Sequence, residues 1–157
     1  MAVLWYRKAA DQGCAKAQHM LGESYRFGEG VDQNSKKAVH WLRKAADQGL
    51  PEAQCTLAIM YKSGDGIAKD CKEAAQLNLR AADQGYAVAQ YNHGQMYRLG
   101  EGAPQDLKKA VYWHRKAADQ GDPHAQCVLG VMYAQGGAGV AQDQKKSVQW
   151  YRKAADQ

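Results

Sequence analysis

Although 45% of the 157 residues are hydrophobic, no apolar run approaches the roughly 20 residues that a membrane-spanning helix requires. No membrane insertion is therefore expected. The chain also opens without a charged n-region, an apolar h-region or a cleavage site, because Met1-Ala2-Val3-Leu4-Trp5 already stands in helical register. Any targeting signal is expected outside these residues, which leaves secreted or periplasmic placement open. The five histidines, His19, His40, His93, His114 and His124, show no His-Glu-x-x-His spacing, and no Cys-x-x-Cys occurs. Ser35-Lys36-Lys37 is not the Ser-x-x-Lys of serine acylases, and nothing resembles a nucleophile elbow. The sequence thus offers no catalytic residue, no metal ligand set and no cofactor site.

What is present is periodicity. Ala-Ala-Asp-Gln-Gly begins at Ala9, Ala45, Ala81 and Ala117, and a shortened copy begins at Ala154. A strict period in this range marks an array of one repeated supersecondary unit, each unit burying its apolar face against its neighbours. Aligned copies share Ala17-Gln18, Leu21-Gly22 and Tyr25, recurring as Ala53-Gln54, Leu57-Ala58 and Tyr61, then Ala89-Gln90, His93-Gly94 and Tyr97, then Ala125-Gln126, Leu129-Gly130 and Tyr133. Residues at i, i+4 and i+8 share a helical face, so this is a first helix of about three turns. It ends at Gly28-Glu29-Gly30, Gly64-Asp65-Gly66 and Gly100-Glu101-Gly102, where a left-handed residue is wanted. In the fourth copy Gly136-Gly137-Ala138-Gly139 carries a one-residue insertion, as a loop can.

Second helices are predicted to start at the N-caps Asn34, Asp70, Asp106 and Asp143, with Asp70 and Glu73 fitting a capping box. They run through Ala38, Val39, Trp41 and Ala45, or Ala110, Val111, Trp113 and Ala117, with both tryptophans inward, and stop at Gly49, Gly85 and Gly121. Pro51 and Pro123 fit the first position of the next helix, and Asp122 fits an N-cap before Pro123. Leu77 stands where Trp41, Trp113 and Trp150 stand, which lowers core volume around the second and third copies. No strand is needed.

These residues carry a resemblance. Ala-x-Ala-Gln-x-x-Leu-Gly-x-x-Tyr-x-x-Gly-x-Gly-Val, followed by Asp-x-x-Lys-Ala-x-x-Trp-x-x-Lys-Ala-Ala, resembles the Sel-one-like repeat over the whole chain. One repeat domain is expected, with units at 14–49, 50–85, 86–121 and 122–157 after a half unit at 1–13 in which Ala2, Trp5, Ala9 and Ala10 match a second helix. The resemblance implies an all-α, right-handed α/α superhelical solenoid like that of tetratricopeptide proteins. It also implies a non-enzymatic adaptor that binds a peptide or protein surface on its concave face. The alternatives are a hydrolase or penicillin-binding activity, as in a cysteine-rich branch of the family, and a structural spacer within a longer array. That branch has a regular cysteine pair per unit. Here Cys55 and Cys127 share a register two units apart, beyond bridging reach, and Cys14 and Cys71 occur once each. They are read as reduced thiols, which favours the cytoplasm.

The balance of 21 Lys and Arg against 16 Asp and Glu gives a net +5. Lys36-Lys37, Arg43-Lys44, Lys108-Lys109, Arg115-Lys116 and Lys145-Lys146 alternate with buried positions, so they read as a solvated face and not as a nucleic-acid track. The excess favours an acidic partner through steering. If the units resemble tetratricopeptide repeats, the groove positions are Lys16, His19, Glu23, Arg26 and Phe27, then Glu52, Cys55, Ile59, Lys62 and Ser63. They continue as Val88, Tyr91, Gln95, Arg98 and Leu99, then His124, Cys127, Val131, Ala134 and Gln135. Phe27, Ile59, Tyr91, Leu99 and Val131 would form an apolar strip edged by Arg26, Lys62 and Arg98, unless curvature buries several of them. His93 replaces a core leucine and reads as a histidine hydrogen-bonded between helices, as the mark of a frayed unit, or as a polar contact in the groove wall. Finally, the chain opens with a second helix and closes on another carrying Trp150 and Tyr151, so it is expected to be a stretch of a longer array that associates head to tail.

Overall fold

The computed structural model describes residues 2–137 and 139–156. Among them are nine helices and no strand: α1 (Ala2–Asp11), α2 (Ala15–Phe27), α3 (Ser35–Asp47), α4 (Pro51–Ser63), α5 (Cys71–Asp83), α6 (Ala87–Leu99), α7 (Leu107–Asp119), α8 (Pro123–Gln135) and α9 (Gln144–Ala155). The chain divides within α5, between Ala81 and Ala82, into two compact units. In the first, α1 packs on α2, α2 on α3 and α3 on α4; in the second, α6 packs on α7, α7 on α8 and α8 on α9.

The caps explain the helix boundaries. Asn34, Asp106 and Asp143 accept from the amides of Lys37, Lys109 and Lys146 through their side-chain oxygens at 2.9, 3.0 and 3.0 Å. These bonds satisfy donors that the first turn leaves open, and the Lys146 amide holds the Asp143 carboxyl below its ordinary pKa. Asp122 does the same for Ala125 ahead of Pro123. Asp70 departs from the expected capping box. Its oxygen takes both the Lys72 and Glu73 amides, while its own amide, the one Glu73 would have accepted, donates to the Tyr61 carbonyl at 3.0 Å.

Second helices close as Schellman turns: Gly49 and Leu50 donate to the Ala46 and Ala45 carbonyls, and Gly121 and Asp122 to those of Ala118 and Ala117. First helices end on left-handed Gly28, Gly64 and Gly100. Just beyond, at Gly66, a Cβ would stand 2.5 Å from the Ser35 backbone, so that position tolerates no side chain. The fourth loop differs. Gly136 keeps a positive φ but leaves the left-handed helical region (φ 66°, ψ −161°), and Gly137 and Val140 form an isolated bridge; Ala138 lies outside the described residues.

The interior is partly polar. Gln18, Gln54, Gln90 and Gln126 are buried, and each donates to a carbonyl eight residues upstream, on Ala10, Ala46, Ala82 and Ala118, at 3.1–3.2 Å. Each of those carbonyls, at a helix C-terminus, also accepts the N–H of Gly13, Gly49, Gly85 or Gly121, so the glutamine occupies its second lone pair. Gln48 and Gln120, from the Ala-Ala-Asp-Gln-Gly stop, in turn donate to the side-chain oxygens of Gln18 and Gln90. Around this polar ladder the apolar core is Leu21, Leu42, Leu57 and Met60 in the first unit, and Leu129, Tyr133 and Trp150 with their neighbouring alanines in the second. Fully burying a leucine or methionine contributes about 1.5–3 kcal/mol.

The tryptophans are not equivalent: Trp113 and Trp150 are buried, Trp41 is half-buried and Trp5 is 66% exposed. Much of the positive charge on second helices covers aromatic faces. Lys44, Lys116 and Lys153 sit over Trp41, Trp113 and Trp150, and Lys37, Lys109 and Lys146 over Tyr25, Tyr97 and Tyr133, all within 5.4 Å of the ring centroids. Arg7 and Arg43 bond the hydroxyls of Tyr25 and Tyr61, each 18 residues downstream.

Candidate partner-binding surface

In the first unit, α2 and α4 present the expected positions on their outer faces. Phe27 is 58% exposed and the Arg26 guanidinium lies 4.8 Å above its ring. One turn earlier Glu23 pairs with Arg26 at 3.6 Å, so this arginine is already neutralised. Ile59 and Lys62 are exposed on α4, whereas His19 is half-buried with Nε2 3.5 Å from the Thr56 hydroxyl. Cys55, expected at the groove, is instead buried and belongs to the core, although Cys127 in the same register is exposed.

In the second unit three of the expected residues form one chain. Gln95 donates to the Tyr91 hydroxyl at 2.9 Å and accepts from Arg98 Nε at 2.6 Å. Leu99 and Val131 remain exposed at 48% and 39%. Beside Arg98 lies a cavity of about 290 Å³, walled by Leu107, Val128, Val131, Met132 and Val140, with Gln105, Gln135 and Gly136 at its margin.

The histidines beneath this surface carry a correction. His93 is buried, but neither ring nitrogen has a hydrogen-bond partner. It stands edge-on to Tyr97 and Trp113 at centroid distances of 5.0 and 5.2 Å, an aromatic contact and not the expected bond between helices. Desolvation lowers its pKa, with Asp83 opposing. His114, which sequence reasoning did not single out, is fully buried, has both ring nitrogens unpartnered and packs 5.5 Å from Tyr91. Burial, with a smaller push from Arg98, lowers its pKa to about 4. Both imidazoles are neutral at pH 7. The available signal for His114 was its register, occupied elsewhere by Leu42, Asn78 and Tyr151.

The Sel1 repeat model matches residues 1–14, 15–50, 51–86, 87–122 and 123–157. A protective antigen from uropathogenic Escherichia coli displaying an SLR fold is 42% identical to the chain and superposes with a TM-score of 0.93. The match covers 97% of this chain and 32% of that one. A Sel1 repeat protein from Oxalobacter formigenes is 38% identical, with a TM-score of 0.90, over 98% of this chain and 62% of that one. The chain thus spans a third to under two thirds of these relatives. Helicobacter pylori cysteine rich protein B, 23% identical with a TM-score of 0.64 over 82% of this chain and 92% of its own, shares the fold. No curated protein matches. With an all-α solenoid architecture and repeat matches along its whole length, this chain belongs to the Sel1 repeat family.

Proposed function

We propose that the protein is a non-catalytic interaction scaffold that holds a peptide or protein surface of acidic character against the outward positions of its first helices. The observation that carries this reading is an inversion of burial. On α2, α4, α6 and α8 the repeating residues are inward, while the residues that differ between copies include Phe27, Ile59, Leu99 and Val131, which stay 39–58% exposed. Large apolar side chains left in water beside arginines have no role in stacking the repeats and match the anchors of protein interfaces. The net charge of +5 steers acidic partners.

Capture from native lysate with mass spectrometry, run with the wild-type chain and with the Arg26→Glu/Lys62→Glu/Arg98→Glu variant, tests the reading. A partner retained by the first and lost by the second, with weaker salt dependence in the variant, supports it. Identical capture by both proteins removes these faces from the function.

A further inference from the structure

We propose that the cavity beside Arg98 is a specificity pocket for an acidic peptide: one aliphatic side chain enters the apolar wall while a flanking carboxylate pairs with the guanidinium. This rests on the scaffold reading and narrows it to one site and one ligand chemistry. The first support is a difference between two arginines in the same register. Arg26 is paired with Glu23, but the position corresponding to Glu23 in the second unit is Gln95. Gln95 occupies only Nε of Arg98, and among the described residues no carboxylate forms an ion pair with Arg98. The bond to Gln95, itself tied to Tyr91, orients the guanidinium while leaving its two terminal nitrogens free for a bidentate acceptor. A full positive charge is therefore held ready at the mouth of an apolar cavity.

The second support is the irregular loop. The inserted residue lets Gly137 and Val140 bond each other through their backbones, at 2.9 and 2.6 Å, and Val140 then forms part of the cavity wall while packing on the core around Leu129 and Trp150. The wall is thus anchored to the unit's interior. At about 290 Å³ the cavity lies at the lower edge of the roughly 300–1,000 Å³ typical of small-molecule sites. It suits one side chain, with the rest of a peptide running over the surface.

The test is an NMR titration of the full chain with the capped pentapeptide Gly-Asp-Leu-Asp-Gly. Versions carrying Asn for both Asp, or Ser for Leu, and octanoate serve as controls. Shifts are expected at the Arg98 Nε–H and at the Val131 and Val140 methyls, with about tenfold weaker binding for either altered peptide, a loss of about 1.4 kcal/mol. Arg98→Gln should weaken binding as much. Gln95→Glu, an external substitution that recreates the Glu23–Arg26 pair, should weaken it with the fold intact. Absence of these shifts up to millimolar peptide, unchanged affinity in both variants, or tighter binding of octanoate than of the peptide overturns the pocket. Shifts confined to Arg26 and Phe27 also overturn it, yet leave the scaffold reading standing.

Discussion

Gly94 faces His114 so closely that a Cβ on Gly94 would stand 2.9 Å from Cε1 and 3.0 Å from Nδ1 of the imidazole. In two of the other copies Gly22 meets Leu42 and Gly130 meets the Tyr151 ring in the same way. The small residue of the Leu-Gly pair is a seat for whatever the following second helix presents.

Replacing Gly94 by alanine sets two effects against each other. Helix propensity favours alanine by about 0.5–1 kcal/mol, but crowding a rigid, fully buried ring costs about 1–3 kcal/mol. Crowding is expected to win, with net destabilisation in urea unfolding. The sign should reverse in a His114→Asn background, because Ala58 and Asn78 already occupy these two registers in the first unit. A double-mutant cycle reads the coupling directly; additive effects would show that the two residues are not each other's limit.

Stability is expected to fall with acid through the buried histidines. His114 has a folded-state pKa of about 4 against an ordinary 6.5, so the unfolded chain binds its proton more readily. Its contribution is fully present above about pH 6.5, is lost as pH falls toward 4 and stays level below that. The shift corresponds to about 3 kcal/mol, and His93 acts with the same sign. His114→Leu, which installs the residue found at Leu42, should flatten this slope; an unchanged pH profile of the denaturation midpoint would assign the acid sensitivity elsewhere.

Burial grades the tryptophan substitutions. Trp113→Ala should cost about 3–5 kcal/mol by opening a cavity. Trp41→Ala should cost less, because part of that ring already meets water, and Trp5→Ala should cost little. Thermal unfolding of the three variants checks the order, and equal losses would contradict it.

Removal of a ladder glutamine has its own signature. Gln90→Ala takes one of two donors from the Ala82 carbonyl, which keeps the Gly85 N–H, and the nearer acceptor from the Gln120 amide, and should cost about 0.5–1.5 kcal/mol. Gln120→Ala leaves the Ala82 carbonyl untouched but takes the donor from the side-chain oxygen of buried Gln90, and should cost about 1 kcal/mol. Amide hydrogen exchange at the α5 C-terminus should accelerate in the first variant and not in the second.

The helices and their stops were legible because caps are local: Asn34 bonds Lys37 three residues on, and the glycines that end helices declare themselves by position. The outward positions were legible as the ones that change between copies. The ladder was visible only as a recurring Ala-Gln, since its acceptor is a backbone carbonyl eight residues back, which no side chain advertises. Asp70 misled because its amide found a backbone acceptor before Glu73 could supply one. His114 was hidden by variety in its register, where leucine, asparagine, histidine and tyrosine share no chemistry. The cavity beside Arg98 was hidden because an insertion reads as slack until its backbone is seen to close on itself.

The constant eight-residue reach of the glutamines has a practical consequence for grafting. Between Ala10 and Gln18, or Ala118 and Gln126, the connection has one length in every copy, and a single added residue would carry a buried donor past its carbonyl. The glycine loops are also spanned by a glutamine, but an exposed one whose reach adapts: Gln33 and Gln105 donate to the Arg26 and Arg98 carbonyls seven residues back, and across Gly136–Val140, which accommodates one extra residue, Gln142 reaches the Ala134 carbonyl eight back. Foreign sequences and labels belong at those loops, while the Asp-Gln-Gly turns have to keep their length.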